Sequence, residues 1–341
     1  MREQSQSGIF AISLDFELYW GVHDSRPRYS YRDNILGSRQ AIPAILTLFD
    51  QYEVHATWAC VGLCFFESRR QLMQALPDRR PAYLDPMLST YSYLNEAGAT
   101  EAEDPLHFGA GLIHQMISTP GQEIGSHTFS HYYCLEPGQD VEDFRADLIA
   151  ARLAAERFGV ELRSLVFPRN QTNEAYLRVC RELGIIAYRG SPGFYRPQSK
   201  DQPSGLWRAL RLADNYLPLS DRSRQIGPTV PGLPVNVPAS CFLRPYAPAW
   251  APLDSLRLRR ICAEMEKSAI EGRLYHVWWH PHNFGMHLHE NLSFLERILK
   301  RYADLRCEHG MLTLNMGEIA QRHGITAPLG EHEPAHPLVG G

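Results

Sequence analysis

The sequence predicts an α/β fold, a distorted (β/α)7 barrel carrying long irregular insertions. Three observations predict it. Short apolar runs bounded by turn residues alternate with longer stretches of helical period, the pattern of β/α units around a parallel sheet. The runs number about seven, a barrel-like count. The 341 residues, 44% of them hydrophobic, are enough for one large domain with a sizeable core.

The strands are expected near residues 9–15, 55–61, 122–126, 163–167, 185–188, 274–279 and 311–314. Each is a short run of apolar or β-branched residues ending at a turn. Helical period appears in 39–52, 141–159, 173–184, 253–272 and 290–305. Gly159, Gly184 and Gly272 stand where those helices should stop. Residues 62–118 and 190–253 show no strong period, and long loops of that kind serve as covers or binding walls. Residues 1–326 are read as one catalytic domain and the Pro/Gly-rich 327–341 as a disordered tail, whose His332 and His336 are discounted as metal ligands.

Composition narrows the partners. The formal net charge is -4, and no Lys/Arg block occurs, which argues against nucleic acid and anionic membranes. The polar opening "MREQSQSG" leaves no room for a signal peptide, and no stretch approaches a membrane span, so a cytoplasmic protein is expected. Seven cysteines without a CxxC pair fit reduced thiols better than a disulfide framework. The composition leaves open whether the chain forms a homo-oligomer.

The chemistry gathers at strand ends. Asp15 and Glu17 in "SLDFELYWG" are two apart, so on an extended chain they face the same side and together call for a cation. His127 and His131 in "EIGSHTFSH" are four apart, the spacing by which two imidazoles on one helical turn grip a metal ion. "VFPRNQ" delivers Arg169 and Asn170, and "WWHPHNFG" delivers His280, His282 and Asn283. Singly, each has a plain explanation: solvated acids, a surface histidine pair, a loop ion pair, a core histidine. Jointly they stand at strand C-termini, which in a parallel barrel share one mouth.

In this order, "SLDFE", "HATWACVG", "EIGSHTFSH", "FPRNQ" and "WWHPH" resemble the blocks of the polysaccharide deacetylase family, carbohydrate esterase family 4, over roughly residues 9–320. The resemblance implies that family's type of barrel. It implies that Asp15 is the general base, that Glu17, His127 and His131 hold one divalent metal ion, that Arg169 holds the base, and that His280, preferred to the alternative His282 because it directly follows the strand, is the general acid. The ion is expected to be Zn2+, with Co2+, Ni2+, Mn2+ and Fe2+ as alternatives. The residues alone leave open which of Asp15 and Glu17 touches it. The chain departs from the family in reading Asp-Phe-Glu for adjacent aspartates, in placing Pro before Arg in the third block, and in showing no clear fourth block around "YRGSPGFY". His282, Asn283, Asn170 and Trp20 are expected to contact substrate. Tyr19, Trp207, Tyr216, Trp250, Trp278 and Trp279 are further candidates for stacking on a sugar, of which one or two are expected to do so.

The implied activity is hydrolysis of an N-acyl amide on an amino sugar, in a precursor of a bacterial surface polysaccharide such as lipopolysaccharide or O-antigen. Two alternatives stand beside it. One is a metal-independent, allantoinase-like amidohydrolase; the other is a catalytically silent carbohydrate-binding relative.

Overall fold

The first strand, β1 (Ile9–Phe16), is buried along its whole length and anchors the sheet. In this computed structural model, which describes residues 7–191, 214, 216 and 220–325, β1 pairs in parallel with β2 (Ala56–Cys60) on one side and β8 (Leu274–Trp279) on the other. Beyond β2 follow β3 (Gln122–Ser126), β4 (Ser164–Leu165), β5 (Ala187–Gly190) and β6 (Val235–Pro238); β7 (Cys241–Phe242) lies beyond β8. All these pairs are parallel, and the sheet curls into the barrel-type arrangement the sequence predicts.

One segment stands at both ends of the curled sheet. β6 pairs with β5, and only two residues later β7 pairs with β8. The handover is marked by Ala239 N donating to Gly190 O at 2.9 Å and Ser240 N donating to His276 O at 2.8 Å. This strand is missing from the sequence reading because Pro234 and Pro238 frame it; proline withholds a ladder donor and so masks a strand that lies at a sheet end. Conversely, 311–314 contributes only β9 (Leu312–Thr313), which pairs with the start of β1.

Alternation along the strands divides two cores. Phe10, Ile12 and Leu14 face the surrounding helices, whereas Ile9 and Ala11 join Ala187, Val235, Leu274, Met316 and Ile319 in a second cluster at the base of the barrel. Continuing up the inward face of β1, the next residues are Ser13 and Asp15, so the interior turns from apolar to polar towards the strand C-termini.

The outer helices are α1 (Arg28–Gln51), α2 (Arg69–Gln74), α3 (Thr90–Tyr93), α4 (Ala110–Ser118), α5 (Val141–Glu156), α6 (Glu174–Glu182), α7 (Asp254–Glu271), α8 (Leu288–His309) and α9 (Met316–Arg322). Asp140 caps α5 and Asn315 caps α9, each in a reciprocal capping box. α7 and α8 stop at Gly272 and Gly310, both left-handed. α2, α3 and α4 lie in the stretch expected to be irregular. α1 begins eleven residues before the expected 39–52 pattern, because its first turns are held by tertiary contact: a Cβ on Gly37 would lie 2.1 Å from Gly285 O, so helix and loop touch backbone to backbone. That contact seats α1 on the loop that carries His282, and Asn34 Nδ2 donates to His282 O at 3.4 Å.

The expected disordered tail 327–341, with His332 and His336, lies outside the described residues, as do Trp207 and residues 192–195 of "YRGSPGFY". Among the described residues, no helix is long and apolar enough to cross a membrane.

Candidate metal centre and active site

The polar mouth is assembled from the ends of β1, β3, β5 and β8. Glu17 follows β1 directly and is buried, and its Oε2 lies 3.1 Å from His131 Nε2 and 3.4 Å from His127 Nε2. One ligand atom from each of Glu17, His127 and His131 falls within 4.8 Å of the others. Gly21 permits this seat, since a Cβ there would lie 2.1 Å from the Glu17 carboxyl carbon.

The histidine pair converges by a different route from the one its spacing suggests. Residues 127–131 form no helical turn. They form a loop in which Thr128 and His131 have φ of 62° and 57°. The loop is wound on the buried carboxylate of Asp147 in α5, which accepts from Phe129 N at 2.6 Å, from Ser130 N at 3.1 Å and from the Ser130 hydroxyl. Burial pushes the Asp147 carboxyl up to about 6 against those bonds.

The hydrogen bonds behind the imidazoles test whether a cation fits. His127 Nδ1 lies 2.8 Å from Val166 O, and a carbonyl can only accept, so Nδ1 carries the proton. In the neutral ring Nε2 is then bare and faces a carboxylate oxygen. Burial lowers the His131 pKa, partly opposed by Glu17, which biases that ring towards neutrality. Acceptors aimed at one another in a buried site repel unless a cation lies between them. Two imidazoles and one carboxylate form a donor set suited to zinc or another first-row divalent ion.

Asp15 is held by an arginine that the sequence reading missed. Arg189 on β5 donates from Nη1 to Oδ1 at 2.6 Å and from Nη2 to Oδ2 at 2.7 Å. Arg189 is itself fixed on every side: Nη1 donates to Ser13 Oγ, Nε and Nη2 donate to Asn170 Oδ1, and its guanidinium lies 4.1 Å from the centre of the Trp278 ring. Burial raises the Asp15 carboxyl pKa, but Arg189, with His127 and His280, more than offsets it. Burial likewise opposes ionisation of Glu17, yet its surroundings, the neighbouring His280 first, hold it well below the usual carboxylate range. The signal for Arg189 was present as "YRG", inside the stretch where no fourth block was legible.

Arg169 therefore does not hold the base. Its guanidinium bonds Asp24 Oδ2 and, at 3.1 Å, Glu136 Oε1, because Arg169 and Asn170 both take left-handed φ, 54° and 52°, which turns the two side chains to different partners. Asn170, expected at the substrate, is committed to Arg189. Trp20 is also corrected: it is fully buried and its Nε1 donates to His107 O at 2.6 Å, an anchor for the loop after β1.

His280 stands open, its side chain 24% exposed, with Nε2 3.7 Å from both Asp15 Oδ2 and Glu17 Oε1. His282 stacks behind it at 5.0 Å and is buried. Burial, then the neighbouring His280, pushes His282 down to about 3, so it is neutral at neutral pH. Asn283 is partly buried beside the Tyr31 hydroxyl. Of the aromatic candidates, Trp278 lies at the site; Tyr19 and Trp279 are buried, and Tyr216 stacks with the exposed Trp250.

Comparison with known proteins agrees with this architecture. A protein of Mycobacterium smegmatis assigned as a polysaccharide deacetylase superposes with a TM-score of 0.59 at 14% identity, covering 95% of this chain and 92% of that one. The Puue allantoinase gives 0.55 at 14% identity, covering 94% and 91%. A second protein assigned as a polysaccharide deacetylase, from Pseudomonas aeruginosa PAO1, gives 0.53 at 14% identity, covering 93% and 91%. These likenesses establish the fold. No curated protein matches the chain. Residues 32–188, which include β2 to β4, His127 and His131, match the family model for polysaccharide deacetylase. That segment is similar to the polysaccharide deacetylase family, whose members are hydrolases acting on N-acetyl amide bonds.

Proposed function

We propose that this protein is a metal-dependent hydrolase that removes the acetyl or another acyl group from the nitrogen of an amino sugar. The observation that carries the proposal is the convergence of Glu17, His127 and His131 beside the Arg189-clamped Asp15. Glu17, His127 and His131 would hold the ion, with Zn2+ as the first candidate and Co2+, Ni2+, Mn2+ and Fe2+ as alternatives. When bound, a divalent cation supplies positive charge that polarises the acyl carbonyl and acidifies water.

The chain's own residues do the rest. Asp15, kept ionised by Arg189, is a weak base, and a weak base suffices only for water that has been made acidic. It accepts the proton of the attacking water as the new C–O bond forms. His280, open to the mouth, gives a proton from Nε2 to the departing amine nitrogen as the C–N bond breaks. His282, neutral and behind His280, contacts the acyl oxygen or the sugar, and Asn283 borders the same mouth. Residues 1–326 act as one catalytic domain.

The substrate is a precursor of a bacterial surface polysaccharide, lipopolysaccharide or O-antigen, deacylated in the cytoplasm. All seven cysteines are unpaired, which suits a reducing compartment. Purified protein incubated with N-acetylated amino sugars, free and nucleotide-linked, should release acetate, lose that activity to a chelator and regain it with a divalent ion. Release that persists without any bound ion would favour the allantoinase-like alternative. A stoichiometric ion with no release from any such sugar would favour the silent carbohydrate-binding one.

A further inference from the structure

We infer that Arg169, Asp24 and Tyr133 form an outer relay that fixes His131 as a metal ligand, so that all three are positioning residues; the inference rests on the metal-dependent function proposed above. Asp24 lies on the loop after β1 with its side chain buried, and Tyr133 lies two residues beyond His131. Tyr133 Oη is 3.0 Å from Asp24 Oδ2 and 3.0 Å from His131 Nδ1.

Hydrogen-bond direction follows from what each group can do. The Arg169 guanidinium donates to the same Asp24 oxygen, and a guanidinium has only donors, so Asp24 Oδ2 is an acceptor there. Tyr133 must then donate its single hydroxyl proton to Asp24. Its oxygen is left to accept, and among the described residues the group offered to it on the other side is His131 Nδ1–H. The His131 proton is thereby placed on Nδ1, and Nε2 is bare towards Glu17 Oε2, 3.1 Å away.

Arg169 closes the relay from outside. Its guanidinium lies 4.2 Å from the centre of the Tyr133 ring and bridges to Glu136, whose Oε1 also accepts from Gln171 Nε2 at 3.2 Å. The left-handed Arg169 aims the side chain at this pair. His127 reaches the same tautomer through a backbone carbonyl; His131 reaches it through side chains, which substitution can remove. A histidine ligand whose outer partner is removed typically loses 10–100-fold in metal affinity.

The experiment is zinc affinity of the full chain by competition with a chromophoric chelator, for wild type, Tyr133→Phe and Asp24→Ala, with thermal unfolding of each metal-free form. Both variants should bind zinc roughly 10–100-fold more weakly, with Tyr133→Phe losing little metal-free stability because its ring remains under Arg169. Nitrogen NMR of the metal-free wild type, labelled at histidine, should show His131 protonated at Nδ1. Wild-type zinc affinity in Tyr133→Phe, or an Nε2 proton on His131, overturns the relay alone. A wild type that takes up no divalent ion overturns it together with the proposed function. If Tyr133→Phe does not fold, the wild-type spectrum and Asp24→Ala decide.

Discussion

Arg189 and Asp15 form a two-pronged ion pair inside the barrel, 174 residues apart in sequence and both buried. A planar guanidinium matches both carboxylate oxygens at once, which an ammonium cannot do. The pair makes Asp15 a rigid, ionised group at the site where the proposed reaction needs a base.

Arg189→Met should therefore cost stability as well as turnover. Removing one partner of a buried pair leaves the other charge uncompensated, a loss of about 3–5 kcal/mol. Denaturant unfolding should report it, and Arg189→Lys should recover only part. Wild-type stability in Arg189→Met would show that Asp15 is held by something else.

Base and acid should separate by leaving group. Asp15→Asn, loaded with its ion, should lower kcat by roughly 10²-fold or more on amides and activated esters alike. His280→Ala should lower it comparably on amides and much less on an aryl ester, whose leaving group needs no proton. Equal losses on both substrates would remove His280 from the acid role, and full turnover in Asp15→Asn would remove Asp15 from the base role.

Gly21→Ala tests the Glu17 seat without deleting a ligand. Its new Cβ would fall 2.1 Å from the Glu17 carboxyl carbon, so the carboxylate must shift. Metal affinity should drop by an order of magnitude or so, as for other displaced supporting groups. An unchanged zinc affinity would mean that Glu17 is not bound in this position.

Acid should destabilise the fold through His276. Its ring is buried inside the barrel with Nε2 2.8 Å from Ser13 Oγ, and burial, then Arg189, pushes it down to about 3. In the unfolded chain it titrates near 6.5, so between pH 6.5 and about 3 the unfolded state binds the extra proton and stability falls as the pH falls. A single such group contributes a slope of up to about 1.4 kcal/mol per pH unit. His276→Gln should flatten the pH dependence of unfolding below pH 6 by about that amount; an unchanged slope would place a proton on His276 in the folded state.

What was legible in the sequence depended on how local the signal was. Asp15 with Glu17 and His127 with His131 were found because each pair sits within five residues, and His280 because it follows an apolar strand. Arg189 was missed for the opposite reason. No near neighbour in sequence explains a buried arginine; the nearest partner, Asn170, is 19 residues away, and Ser13, Asp15 and Trp278 come from two other parts of the chain. Arg169 was misassigned because a sequence shows that a loop offers an arginine but not that left-handed φ at 169 and 170 turns it away from Asp15.

The sequence by itself determined the alternation of strands and helices, the one mouth shared by the strand ends, and the acid and imidazole types that meet there, since periodicity and residue chemistry are properties of short stretches. Only the tertiary structure decided which arginine meets which acid, that the histidine loop is wound on Asp147 instead of a helical turn, and that residues 235–242 stand at both ends of the sheet. Those outcomes depend on contacts between residues distant along the chain, and such contacts are set by how the curled sheet brings its strands together.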